Sequence, residues 1–292
     1  MSLLKEYKSS LKSIEIEEVL DLVFYRPLAF LFVKLIYRTS LTPNQITLLA
    51  MIVGLIGGVF FILNTHTAFI IAGFLLIAYD VLDCADGMLA RLKKNGSPVG
   101  RILDGMADYV VTIFAYITIG IGLSSQSENA LSTWVLVVTA GISNAFHAIS
   151  LDYYRNRFMD MTQDRPAVLT DGLEEFRDEY EKIKIKRGYY FQKFLLKAYL
   201  RYSSVQGSVT SENNKSGLSE QEKQDYYNNN KKIIHFWTYL GPTTQLSFMI
   251  VCAFLNRLDI YLWGLILIGN SYALILFFTQ KFIDKKPLPE GI

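Results

Sequence analysis

Tyr79-Asp80-Val81-Leu82-Asp83-Cys84-Ala85-Asp86-Gly87-Met88-Leu89-Ala90-Arg91 is followed after a short connection by Gly100-Arg101-Ile102-Leu103-Asp104-Gly105-Met106-Ala107-Asp108, and the reading of this chain turns on that stretch. Apolar sequence precedes the first part and follows the second, as expected for the facing ends of two long apolar helices. Asp83 and Asp86 are three positions apart and Asp104 and Asp108 four apart, so each pair shares a helix face. The eight residues Leu92–Val99, which include Gly96, Ser97 and Pro98, predict an antiparallel hairpin that brings both pairs to one depth.

Working outward, six apolar stretches reach the ~20 residues needed to cross hydrocarbon: 43–64, 68–91, 101–123, 130–151, 234–254 and 258–281. With 51% hydrophobic and 19% charged residues, the composition is that of an all-α integral membrane protein with six transmembrane helices. Thr42-Pro43-Asn44 marks a helix start, with a capping hydroxyl and a proline at the first helical position. Ile14 to Tyr37 mixes apolar residues with Glu17, Glu18, Asp21, Arg26 and Lys34, which predicts an N-terminal interfacial amphipathic helix kinked at Pro27. Charges throughout the first 30 residues exclude a cleavable signal with an apolar centre, so the amino terminus is expected in the cytosol. On that topology the outward loops hold Arg257 as their single basic residue, which predicts both termini and the aspartate hairpin on the cytoplasmic side.

Four regions follow: 1–40 cytosolic or interfacial, 41–151 with the first four spans, 152–233 a polar cytosolic insertion, and 234–292 with the last two spans. Asp171 to Tyr202 has helix-forming composition, and Ser203 to Asn230 is expected to lack order. A net charge of +2, from 29 basic and 27 acidic residues, gives no argument for a nucleic-acid partner. Cys84 and Cys252 read as packing residues, because neither has a metal-ligand spacing.

Four carboxylates converging at a membrane interface cannot all stay ionised unless cations offset their repulsion. Oxygen ligands without a His/Cys set suit Mg²⁺, Mn²⁺ or Ca²⁺ rather than zinc. Gly87 and Gly105 leave room for a phosphate or a partner helix, and Arg91, one turn beyond Gly87, can hold a diphosphate oxygen. Helix caps or ion pairs would explain one aspartate pair. They do not explain two pairs with flanking glycines and an arginine on spans otherwise nearly free of charge. A transporter whose aspartates bind a permeating cation is the rival of another class, but the acids cluster at one face only. Asp80 reads as a second-shell group or as the partner of a lysine or arginine, and His147 and His235 as satisfied interfacial histidines.

The pattern Asp-x2-Asp-Gly-x2-Ala-Arg-x8-Gly-x3-Asp-x3-Asp resembles the signature of the CDP-alcohol phosphotransferases, met here at Asp83, Asp86, Gly87, Ala90, Arg91, Gly100, Asp104 and Asp108. The resemblance covers about residues 40–155 and reaches the last two spans only by topology. It implies transfer of a phosphoalcohol from a CDP-linked donor to a hydroxyl acceptor with release of CMP, in phospholipid biosynthesis. It places the donor nucleotide near Gly87, Ala90, Arg91 and Gly100, with Asn44 a further candidate. A pair of divalent cations, Mg or Mn, would be ligated by Asp83, Asp86, Asp104 and Asp108, with Asp108 also the acceptor's base, in a homodimer. The donor is lipid-linked CDP-diacylglycerol or a soluble CDP-alcohol; six spans favour the first. Arg155 and Arg157 can grip an acidic acceptor or serve as positive-inside anchors.

Overall fold

The computed structural model describes residues 3–11, 16–162, 168–186, 188–190, 192–197, 200 and 219–284. Among these residues the chain is helical and contains no strand. The helices are α1 (Leu3–Ser10), α2 (Arg26–Ile36), α3 (Pro43–Ile62), α4 (His66–Lys93), α5 (Pro98–Ser125), α6 (Ala130–Thr162) and α7 (Val168–Lys184). They continue as α8 (Glu220–Trp237), α9 (Pro242–Phe254), α10 (Leu258–Trp263) and α11 (Asn270–Asp284). A π turn, Gly264–Gly269, joins α10 to α11 in one continuous rod. Among the described residues, five helical units are long and apolar enough to cross a membrane: α3, α4, α5, α6 and the Leu258–Asp284 rod. The chain is a multi-pass integral membrane protein.

Local chemistry sets the elements that carry the aspartates. Thr42 and Gln45 close a capping box at the start of α3, with Pro43 where a missing N–H costs nothing. Lys94, in the left-handed conformation (φ 52°), closes α4, and the Ser97 hydroxyl accepts the Gly100 N–H at 3.0 Å to open α5. The hairpin connection is therefore four residues, Lys94–Ser97, half the length that the composition suggested, because the two caps let the helices run on. Asp83 lies seventeen residues beyond His66 and Asp108 seventeen before Ser125, in each case about 26 Å along the axis at 1.5 Å per residue. Both fall near the far edge of a hydrocarbon layer ~30 Å thick.

Helix α3 packs against both arms of the hairpin. A Cβ at Gly54 would lie 2.7 Å from the Val111 side chain and 3.1 Å from Tyr79, so this close approach requires glycine. Leu76, Tyr79, Val111, Ile119, Met249 and Tyr261 share the principal core. Helix α2 buries Ala29, Phe30 and Val33 against Ala85, Met88 and Leu89 of α4 and leaves Leu31 and Leu35 exposed on its other face.

The structure differs from the sequence reading in three further places. Residues 234–254, expected as one span, are broken: α8 ends at Trp237, a 3₁₀ turn covers Thr238–Leu240, and α9 starts after extended Gly241 (ψ 161°). Pro242 cannot donate into a continuing ladder, and the 13 residues of α9 extend only about 20 Å. Within 14–37, a π turn at Asp21–Tyr25 precedes α2, directly ahead of Pro27, and Glu17 and Glu18 are buried rather than held at an interface. In the insertion, residues 203–218 lie outside the described residues, whereas α8, entered through a Ser219–Glu222 capping box, is ordered where disorder was expected. Tyr226, Ile233, Ile234 and Trp237 supply the apolar anchor, packing with Leu151 and Phe158 of α6 and Leu276 of α11. Helix α7 contributes Phe176 and Ile183 to a small cluster with Ile102 of α5, and the Arg101 guanidinium lies 5.0 Å from the Phe176 ring.

Candidate active site

The two arms of the hairpin bring three carboxylates together. One oxygen each from Asp83, Asp104 and Asp108 lie within 4.8 Å of one another. Asp83 Oδ1 is buried without a hydrogen-bond partner, an expensive arrangement for a carboxylate unless a cation is bound there. A Cβ built on Gly105, between Asp104 and Asp108 in sequence, would meet nothing within 4 Å, so α5 is uncovered at that position. Oxygen donors from two helices and an orphaned carboxylate oxygen fit a hard divalent cation.

Asp86 lies outside this 4.8 Å group, although Asp104 and Asp108 are among its charged neighbours. Its Oδ2 accepts a hydrogen bond from the Thr47 hydroxyl of α3, and the side chain is buried. The sequence reading grouped four aspartates; the structure brings together three and tethers the fourth to a neighbouring helix. Asp108 Oδ1 accepts a hydrogen bond of 2.7 Å from the Tyr79 hydroxyl. Tyr79 and Thr47 were both missed by sequence reasoning, although their spacing gave a signal. Tyr79 is four residues before Asp83, and Thr47 is three after Asn44.

The positions assigned to the nucleotide make pairwise contacts. A Cβ on Gly100 would lie 2.7 Å from Asn44 Oδ1, so α3 and the start of α5 touch at the two residues the resemblance singles out. A Cβ on Gly87 would meet Arg91 Nη1 and Nη2 at 3.4 and 3.5 Å, which places the guanidinium fork across the bare face of Gly87. Ala90 lies behind it, 3.8 Å from where a Cβ on Gly96 would stand.

The candidate acceptor arginines are already engaged. Arg157 binds Asp284 at 2.9 Å, tying α6 to α11, and Arg155 is 3.7 Å from Asp152 one turn earlier. Asp80, expected as an ion-pair partner or second-shell group, is buried with Oδ2 unpartnered and without a bonded lysine or arginine. Its charged neighbours are Asp21, Glu18, Asp108 and Arg26. His147 is buried and bonds Asn270 Oδ1 through Nε2 at 2.9 Å; His235 makes an edge contact with the Tyr239 ring.

Comparison with known proteins agrees with this geometry. The model of the CDP-alcohol phosphatidyltransferase family matches residues 40–163, the segment from the α3 cap to the end of α6. The similarity to that family covers less than half of the chain. A curated relative, the Inner membrane protein YnjF of Escherichia coli (strain K12), is 26% identical over 126 residues, 43% of this chain. The chain spans 58% of that relative's length. All eight fixed positions of the CDP-alcohol phosphotransferase pattern fall inside the matched segment, and α1, α2 and α7–α11 fall outside it.

Proposed function

We propose that the chain is a metal-dependent CDP-alcohol phosphotransferase that moves a phosphatidyl group from CDP-diacylglycerol to a polar hydroxyl acceptor and releases CMP. The observation that carries this reading is the trio Asp83, Asp104 and Asp108, gathered within 4.8 Å from two helices of the family segment. A trio near the edge of the hydrocarbon is suited to a donor whose diphosphate sits at headgroup depth while its acyl chains stay in the bilayer.

Asp83, Asp104 and Asp108 would hold the first of two Mg²⁺ or Mn²⁺ ions, and Asp86, released from Thr47 or sharing it, would help to hold the second. Bound divalent cations would supply charge neutralisation at the leaving phosphate and ease deprotonation of the acceptor hydroxyl. The acceptor oxygen attacks the phosphorus farther from cytidine, the bond to the inner phosphate breaks, and CMP departs with the bonding pair. A free carboxylate with pKa near 4 is a poor base for an alcohol, so Asp108 acts by position. Tyr79 donates to its Oδ1 and thereby fixes which oxygen faces the incoming hydroxyl. Gly87, Ala90, Arg91, Gly100 and Asn44 form the wall on which the nucleotide and diphosphate lie.

We place the trio and both termini at the cytoplasmic face. The positive-inside distribution supports this, as does a composite sixth crossing made by the end of α8, the 3₁₀ turn and α9. His66 Nε2 lies 2.9 Å from the Phe254 carbonyl, so α9 ends beside the start of α4, at the end opposite the carboxylates. A homodimer and a place in phospholipid biosynthesis are part of the same reading, and they rest on family similarity alone. With Arg155 and Arg157 engaged in ion pairs, an acidic acceptor would have to compete with Asp152 and Asp284.

The test is CMP release by purified protein supplied with CDP-diacylglycerol and glycerol 3-phosphate, serine, inositol phosphate or inositol, with Mg²⁺ or with excess chelator. Release with one acceptor, abolished by chelator, is the expected result. Release only with a soluble CDP-alcohol would reverse donor and acceptor, and undiminished turnover in chelator would remove the metal from the mechanism.

A further inference from the structure

Arg91 sits in the last turn of α4, yet the atom that orients it comes from the far N-terminus. Its Nε donates a hydrogen bond to the main-chain carbonyl of Ser10, the last residue of α1. A carbonyl in the final turn of a helix has no partner within that helix, so a guanidinium from a neighbouring helix is a natural donor to it. Ser10 is fully buried, and its hydroxyl bonds the Tyr7 carbonyl at 2.6 Å. Three further contacts pin α1 in place. The Tyr7 ring meets the Phe30 ring edge-on at 5.3 Å, the Tyr7 hydroxyl donates to the Leu22 carbonyl at 3.3 Å, and Glu6 pairs with Lys34 of α2 at 2.7 Å.

An arginine has five N–H donors in a planar fork. Here one of them, on Nε, is fixed by Ser10. That leaves the Nη1 and Nη2 edge over Gly87, where the missing side chain gives the guanidinium room. Such an edge matches two oxygens of a diphosphate, and holding it in advance avoids the rotamer entropy lost when a free arginine is ordered by its ligand.

We propose that α1, which lies outside the family segment, is a working part of the donor site: through the Ser10 carbonyl it positions Arg91 for the diphosphate. This rests on the donor assignment made above. Arg91 is the group that touches the donor, and α1 acts through it. Lysine would not serve at 91, since an ammonium that donates to the Ser10 carbonyl has no planar fork to present.

The test is a double-mutant cycle on the full chain in detergent with Mg²⁺, using CDP as the probe. Tyr7→Ala loosens α1 from α2, and Arg91→Ala removes the group it positions. Tyr7→Ala is expected to weaken CDP binding about 3- to 10-fold when Arg91 is present, the scale of one arginine's restored rotamer freedom. It should change nothing in the Arg91→Ala background. Tyr7→Phe, which keeps the ring, should stay near the parent, and Mn²⁺ affinity by electron paramagnetic resonance should be the same in all four proteins. Equal weakening in both backgrounds, or none in either, would overturn the proposal by showing α1 to be a general brace or a bystander. If Tyr7→Ala does not fold, Lys34→Ala, which cuts the exposed tie to Glu6, runs the same cycle at smaller amplitude. Failure of the parent protein itself to bind CDP in Mg²⁺ would instead defeat the donor assignment.

Discussion

Two groups of acids meet α4 at the adjacent residues Asp83 and Cys84, and they are treated in opposite ways. In the hairpin, Asp83, Asp104 and Asp108 face one another, and Asp83 keeps an oxygen that no protein group satisfies. Behind them, Glu18 accepts from the Thr243 and Thr244 backbone N–H groups at 3.4 and 2.8 Å and from the Thr244 hydroxyl at 2.8 Å. Asp21 accepts from the Thr243 hydroxyl at 3.2 Å and the Cys84 thiol at 3.6 Å. Glu18 thus caps α9 in place of Gly241, which has no side chain to offer, and it stands at the positive end of that helix. The protein supplies donors to Glu18 and none to Asp83 Oδ1. Asp80 lies between the two groups and belongs to neither by hydrogen bonding.

The largest expected effect separates the groups outright. Asp83→Asn and Asp104→Asn should lose Mn²⁺ and CDP binding together and with them CMP release, because a neutral oxygen replaces a charged ligand. Asp108→Asn is the sharper case. If Asp108 acts chiefly on the acceptor proton, turnover falls by roughly 10²–10⁴ with CDP affinity within a few fold. Membership of the trio instead predicts that Mn²⁺ affinity drops alongside Asp83→Asn, and titration of both variants in one detergent decides between them. Glu18→Gln should leave Mn²⁺ and CDP binding in place.

The second effect is on stability against pH. Burial, reinforced by Asp21, raises the Glu18 carboxyl from an ordinary 4.5 to about 7, against the pull of the Thr244 hydrogen bonds. The folded state then holds a proton that the unfolded chain has lost, so Glu18 stabilises the fold below pH 4.5. That contribution declines as pH rises towards 7 and is flat above. A shift of this size corresponds to about 3 kcal/mol across the window. Chemical unfolding at pH 5 and pH 7.5 should show the decline in the parent and a flatter response in Glu18→Gln. An unchanged slope would mean that the acid is not buried as described.

Smaller again is the cost of filling Gly241. A Cβ there would stand 2.0 Å from Glu18 Cδ, so Gly241→Ala must push the cap away. Overpacking of this kind costs roughly 1–3 kcal/mol, and a lowered midpoint with intact Mn²⁺ binding is expected. The mildest change is Tyr79→Phe, which removes the hydrogen bond to Asp108 while keeping the ring packed. Turnover should fall by about tenfold, the low end of the worth of a hydrogen bond to a charged acceptor, with little change in melting. A larger loss would give Tyr79 a direct part in the chemistry.

The same contrast explains what the sequence could convey. The hairpin was readable because its signals are local: aspartates at helical spacing, a proline and serine at the turn, and apolar runs on either side. The all-α membrane architecture followed from hydropathy for the same reason. Glu17, Glu18 and Asp21 looked like the polar face of an interfacial helix, because nothing local shows that Thr243, Thr244 and Gly241, more than 200 residues away, supply donors and space. The break at Gly241-Pro242 was visible as two residues but was read as part of a span, hydropathy being blind to main-chain geometry. Helix α8 was hidden by its polar composition, since Tyr226 and Asn230 become core only against Phe158 and Gln280. The separation of Asp86 from the trio depends on Thr47, on another helix, and helical spacing within α4 could not show it.

The depth of the carboxylates has a kinetic consequence. Seventeen residues of α4 and seventeen of α5 separate Asp83 and Asp108 from the opposite ends of their helices, which leaves the trio near the hydrocarbon boundary. A donor carrying acyl chains would then be encountered by lateral diffusion in two dimensions, and its supply would be set by its mole fraction in the bilayer or micelle. Adding inert detergent at constant total donor should slow such a reaction in proportion to the dilution of the surface, whereas a water-soluble donor would be indifferent to it.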